Sequence, residues 1–163
     1  MFASSLDDDE TFGLEVQKPY ASLLVDGAKT TDVRGYALDG ACVGKRFYII
    51  ETTGGVEGVP VLGSGESTVA EDGGVSSTPG GVARAIGWVV FDACVEYENA
   101  EAFREDVGRH LVDASSKYAY GNGPDGARYF GWRVAERGVC EGAILLSYRR
   151  VFRSVHAVRV RGG

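Results

Sequence analysis

The sequence predicts an α+β domain of five or six strands and two or three helices, with a barrel or a covered sheet at its centre. The longest strand signal, Ala83 to Tyr97, is apolar on both faces over most of its length, as in a sheet that is covered or curled on itself. Helical periodicity is confined to two short stretches, after Pro19 and after Asn99. Strands and helices do not alternate regularly, so a doubly wound parallel sheet is not expected. The 163 residues suit one domain and suffice for a core that needs no disulfide or metal to hold it.

The elements follow in order. Residues 1–12 are read as a disordered acidic tail, and residues 13–163 as a single domain. Leu14 to Gln17 reads as a short strand. Pro19 opens a helix, because its fixed φ suits a first helical position. Tyr20, Leu23, Leu24 and Gly27 then share one face, and Gly27 closes the helix by tolerating the left-handed conformation. Thr30 to Gly35 is extended, and Arg46 to Glu51 is strongly β-prone. Residues 53–81 belong to a glycine-rich stretch with no aromatic residue, expected to be a flexible loop because it buries too little apolar surface to offset the entropy of ordering it.

In the strand from Ala83, the residues Ala85, Gly87, Val89, Phe91, Ala93, Val95 and Tyr97 lie on one face, and Ile86, Trp88 and Val90 on the other. Asn99 is a good N-cap for a helix from Ala100 to about Leu111, with Phe103, Val107, His110 and Leu111 turned inward. A loop with Tyr118, Tyr120 and a glycine-rich turn at 121–126 precedes a strand at Tyr129 to Val134. Ala143 to Val160 supplies one or two more strands.

Several function classes recede on composition. No run of about 18 apolar residues exists, so no membrane-spanning helix is expected. The acidic start is unlike a signal peptide, which points to an intracellular protein, cytoplasmic or nuclear. Cys42, Cys94 and Cys140 are odd in number and widely spaced, so buried free thiols are expected rather than a disulfide framework or a zinc site. His110 and His156 are too few and too distant for another metal site. Neither a serine-nucleophile elbow nor a phosphate loop occurs. No metal, no cofactor and a monomeric state are expected. The net charge of −6 understates the basic character of the body, because eight of the 23 acids sit in two segments without Lys or Arg. Arg149, Arg150, Arg153, Arg159 and Arg161 form the one strongly basic stretch. Arg149, Arg150 and Arg153 are candidates for phosphate contacts, and a solvated strand face plus a basic tail fits the stretch equally well.

The densest chemistry lies at Lys29, Asp32 and Arg34. Two residues apart on an extended chain, Asp32 and Arg34 point to one face, and the guanidinium keeps the carboxylate ionised and oriented. Lys29, in the turn after the helix, can swing towards the same place. Two cations beside one acid suit a polar, planar or anionic ligand. An exposed salt bridge on a surface strand is the structural alternative. Trp132 could stack on a base, although its alternation with Phe130 and Val134 favours core packing.

The run Pro19-Tyr20, Gly27, Lys29, Asp32, Arg34 resembles the signature of the ASCH domain family, within the PUA-like superfamily. That signature is a short helix containing Pro-Tyr, followed by G-x-K-x-x-E-x-R. Asp32 stands where the family usually has glutamate. The order of later pieces also resembles the family: Ile86 to Val90, Phe103 to His110, and Tyr129 to Trp132. The resemblance implies a PUA-like β-barrel with flanking helices and a cleft lined by the motif. It also implies binding of RNA or a modified nucleoside, with Lys29, Asp32, Arg34, Tyr20 and Trp132 as ligand contacts. One bacterial branch of the family is an amidohydrolase that deacetylates N4-acetylcytidine and carries K-x-x-T-x-R. If this chain were an enzyme of that kind, Lys29 and Asp32 would be its catalytic groups. The threonine of that branch is absent at position 32, and Thr31 faces the opposite side. A protein-interaction module without a nucleic-acid partner is the remaining alternative.

Overall fold

The computed structural model describes residues 6, 10–52, 83–152 and 155–161. In chain order the elements are β1 (Glu10–Gln17), α1 (Tyr20–Asp26), β2 (Thr31–Arg34), a 3-10 turn (Gly40–Cys42), β3 (Arg46–Thr52), β4 (Ala83–Glu96), α2 (Ala100–Glu105), α3 (Val107–His110), β5 (Phe130–Phe152) and β6 (Val155–Arg161). The sheet order is β2-β5-β4-β3-β1-β6, and β6 also pairs with β5. The pairings therefore form a ring, β1–β3–β4–β5–β6, with β2 added alongside the start of β5. The fold is α+β with its sheet curled into a barrel, as expected. All pairings are antiparallel except β1 with β3.

Closure depends on the length of β5. Its 23 residues would span roughly 75 Å if straight. Instead its first part pairs with β2 and the C-terminal half of β4, and its last part with the start of β4 and with β6. Register shifts between β4 and β5, between Ala85 and Gly87 and on both sides of Phe91, supply the bends. The two predicted strands at Tyr129–Val134 and Ala143–Val160 are thus mostly one strand, with β6 following it.

The barrel interior is filled by aromatic rings from adjacent strands. Phe12 stacks on Phe47 at 4.9 Å. Phe47 meets Phe91 edge-on at 5.4 Å. Phe91 meets Trp132 at 5.3 Å. Leu14, Val16, Leu24, Ile49, Val89 and Ala157 pack around this row. A second cluster, Tyr97, Phe103, Val112, Ala119 and Tyr129, lies under α2 and the loop that follows α3.

Three boundaries differ from expectation. β1 begins at Glu10 rather than after residue 12, because Phe12 is buried in the core and residues 10–13 pair with β6. Leu6 also packs against the core. The remainder of the acidic tail and the glycine-rich loop at 53–81 lie outside the described residues. On α1 the buried residues are Ala21, Leu24 and Val25, so the buried face keeps Leu24 of the expected stripe but is rotated away from Tyr20 and Leu23. The helix expected over Ala100–Leu111 is broken into α2 and α3 at Asp106. Asp106 turns its carboxylate inward to Tyr97, Arg109 and Arg133. Phe103 before the break and His110 beyond it stay buried, while Val107 and Leu111 are 48% and 36% exposed.

Gly87 is where β4 is approached most closely. A Cβ there would stand 2.4 Å from the Gly138 carbonyl oxygen and 2.6 Å from Val25, and backbone atoms cannot yield cheaply. Gly87→Ala should therefore lower stability by about 1–3 kcal/mol. Gly35→Ala, whose nearest neighbour is 3.8 Å away, should change it by less than about 0.5 kcal/mol. Urea unfolding of the two variants checks this difference.

Candidate functional site

The motif is delivered by the end of α1 and the start of β2. Gly27 ends α1 at φ +92, a conformation that a Cβ would oppose. The Arg137 side chain also packs against Gly27, with Nε 2.0 Å from where a Cβ would stand. Asp26 accepts a hydrogen bond from the Ala28 N–H at 2.8 Å, and the Lys29 N–H returns to the Leu23 carbonyl at 2.9 Å. The Thr30 N–H donates to the Arg109 carbonyl, and the Thr30 carbonyl accepts from the Val134 N–H. The turn is therefore clamped between α3 and β5 before β2 begins.

Lys29 is not the mobile surface lysine that its place in a turn suggests; it is only 1% exposed. Its ammonium donates to the His110 carbonyl and lies 4.9 Å from the centre of the Tyr20 ring. An ammonium has three donors, and among the described residues the His110 carbonyl is the one acceptor that Lys29 meets. Burial lowers its pKa; nearby Asp32 raises it in part and Arg34 lowers it again, leaving it at about 8.

Asp32, also buried, accepts from Arg34 Nε at 2.6 Å through Oδ2. Arg34 Nη2 reaches the Glu15 carbonyl at 3.2 Å. Burial would lower the Arg34 pKa, but Asp32, with smaller contributions from Tyr36 and Tyr118, carries it above its usual value. The guanidinium is one-fifth exposed. Among the described residues, Oδ1 of Asp32 accepts no hydrogen bond. An acceptor oxygen and unused cationic donors thus share one place. Tyr20 and Tyr118, half-buried and edge to face at 6.3 Å, stand beside them, with Tyr36 more exposed.

Lys29, Asp32, Arg34 and Tyr20 are thus brought together. Trp132 is not with them as a ligand contact. It is fully buried, wedged among Phe47, Phe91 and Tyr36, and its Nε1–H donates to the Tyr36 carbonyl at 3.1 Å. A base cannot reach its ring faces, and core packing is its role. Arg149 and Arg150 pair with Val158 and Ala157 near the far end of β5 from Asp32's partner, Trp132. Arg153 lies outside the described residues.

Sequence reasoning missed the support behind the motif. Thr31 is fully buried, with its hydroxyl accepting from Arg133 at 2.8 Å, on the side of β2 away from Asp32. Arg133 continues to Asp106 at 2.6 Å, where Arg109 is also bound at 2.7 Å. Burial would raise the Asp106 pKa, but hydrogen bonds from Tyr97 and both arginines hold it below the usual carboxylate value. Burial and that same carboxylate push the Tyr97 phenol up. Tyr118 and Tyr36 were missed because tyrosine in a loop has no periodic signal; the density of tyrosines at 118 and 120 was the one available hint. Among the described residues no cluster of three or more metal-ligating side chains occurs, and no helix is long and apolar enough to cross a membrane.

No family model matches the sequence, and no curated protein matches it. Solved structures do match. A serine-to-alanine variant of ZmASCH from Zymomonas mobilis is similar with a TM-score of 0.53 and 13% identity, over 85% of this chain and 76% of that one. The chain has the ASCH fold. Crystal structures of the ASCH protein of Zymomonas mobilis and of a tyrosine-to-phenylalanine ZmASCH variant give a TM-score of 0.49 at 14% identity. Each covers 78% of this chain, against 68% and 70% of the neighbour.

Within this ASCH fold the Lys29 amine has a measurable signature. Unfolded, a lysine holds its proton up to about 10.5; folded, Lys29 releases it near 8. In that window the unfolded chain binds more protons, so raising the pH favours the folded state. The stability difference between wild type and Lys29→Met should therefore move in favour of wild type between pH 8 and 10.5, by on the order of 2–4 kcal/mol. Urea titrations across that range check it; a flat difference would mean that the amine is not buried as described.

Proposed function

We propose that the chain binds RNA, or a modified nucleoside, at a site built around Lys29, Asp32 and Arg34. The supporting observation is the buried Lys29 ammonium, with donors to spare, beside an Asp32–Arg34 pair that keeps an unused acceptor. A buried polar group costs free energy unless it is satisfied. A ligand edge that offers both a carbonyl oxygen and an amine would satisfy these groups together. Nucleobases carry such edges, and the rings of Tyr20, Tyr36 and Tyr118 offer flanking π surface. Lys29 and Arg34 would donate to the base, and Asp32 would accept from an exocyclic amine. In an RNA ligand, Arg149, Arg150 and Arg153 would meet phosphates and make affinity fall with salt.

A second reading is an amidohydrolase acting on N4-acylcytidine-like nucleosides, favoured by the Lys29 pKa of about 8. A partly neutral amine near pH 7–8 can accept a proton from an attacking water. It would return that proton to the leaving amine as the amide C–N bond breaks, giving a carboxylic acid and cytidine. Thr31 would take no part, since its hydroxyl is turned to Arg133.

Calorimetric titration with cytidine, uridine, N4-acetylcytidine and short single-stranded RNAs, at two salt concentrations, tests both readings. Lys29→Ala and Asp32→Asn should each weaken binding by at least about tenfold, as loss of a hydrogen bond to a charged group does. Asp32→Glu should retain it. Release of acetate from N4-acetylcytidine, lost in Lys29→Ala, would select the hydrolase. Absence of binding to every probe would leave a protein-interaction module in their place.

A further inference from the structure

We propose that His110 is the positioning residue for Lys29: its ring, tied at both nitrogens, fixes the backbone carbonyl that receives the Lys29 ammonium. The inference rests on the reading of Lys29 as the ligand-binding group, and it concerns a residue that makes no ligand contact of its own.

His110 is fully buried. Its Nδ1 accepts from the Val112 N–H at 2.9 Å. A backbone N–H can only donate, so Nδ1 carries no proton and the ring proton is on Nε2. Nε2–H then donates to the Phe103 carbonyl at 2.7 Å. The ring also stacks on Phe103 at 4.1 Å and meets Tyr97 edge-on at 6.0 Å. One imidazole thus joins Phe103 of α2 to Val112, two residues past the end of α3.

What it spans is a corner that needs holding. Leu111 ends α3 at φ 56, a left-handed conformation unfavourable for a branched residue. The Leu111 N–H returns to Val107, and the ring then catches Val112. With the corner fixed, two consecutive carbonyls face the motif turn. Arg109 takes the Thr30 N–H at 3.0 Å, and His110 takes the Lys29 ammonium. The Lys29 chain is thereby kept inside, over Tyr20, instead of extending into water. Burial also lowers the pKa of His110, which agrees with a neutral ring.

The test uses three variants that cut the ties differently. His110→Asn offers an acceptor near Nδ1, His110→Gln offers a donor near Nε2, and His110→Ala offers neither. The readout is the titration of the Lys29 side chain by NMR, followed in the full chain alongside a spectrum that reports folding. In His110→Ala the Lys29 pKa should climb from about 8 towards the 10.5 of an unconstrained lysine. Asn and Gln should restore part of the lowering. Affinity for whichever nucleoside probe wild type binds should fall about tenfold in His110→Ala and recover in the same order. A Lys29 titration unchanged in any folded His110 variant overturns the proposal. Should Ala fail to fold, Asn and Gln still decide it. Should wild type bind no nucleoside, the functional reading fails, but the Lys29 titration still judges the role of His110.

Discussion

The fold depends on β5 being shared. This one strand pairs with β2, β4 and β6 along successive stretches, so barrel closure and motif placement are set by the same backbone. Trp132 lies opposite Asp32 in the β2–β5 register. The residue that anchors the barrel interior therefore also fixes where the candidate carboxylate sits. Its indole N–H reaches the Tyr36 carbonyl, which extends the constraint to the chain just past β2. A motif of six residues on a four-residue strand could not hold its geometry alone; it borrows rigidity from the barrel.

The second support is electrostatic. A lysine that is buried beside another cation is unfavourable on desolvation and on charge grounds alike. It persists because the end of α3, the Tyr20 ring and the Asp32 carboxylate compensate it from separate directions. Burial together with incomplete compensation is what distinguishes the cluster from an exposed salt bridge. The Arg128–Glu96 pair shows the contrast. It is bidentate at 2.7 and 2.9 Å, yet lies on the surface, where water screens it.

Much of this was legible in the sequence where side-chain pattern and local geometry coincide. Gly27 marks the end of α1, Asn99 caps α2 through the Ala102 N–H, and the alternation of Ala85, Val89 and Phe91 gives the inward face of β4. The motif put Lys29, Asp32 and Arg34 together because they are close along the chain. What could not be read depends on long-range partners. Lys29 looks mobile until His110, from a distant segment, is placed above it. Trp132 looks available for stacking until Phe47 and Phe91 close on it. The helix from Ala100 looks continuous because periodicity carries no information about a carboxylate that turns inward. Phe12 stayed with the acidic tail because composition outweighed a single aromatic residue.

Asp106 has a consequence for how this chain can vary. It interrupts the helix and is at the same time the counter-ion for Arg109 and Arg133 and the acceptor for Tyr97. A change that mended the helix by supplying a better helix former would strip three donors of their common acceptor. A change in either arginine would leave the other to absorb its share of the charge, so the energies of the two positions do not add. Sequence drift at 106 is thereby tied to drift at 97, 109 and 133. In related chains these four positions should change as a set, or not at all.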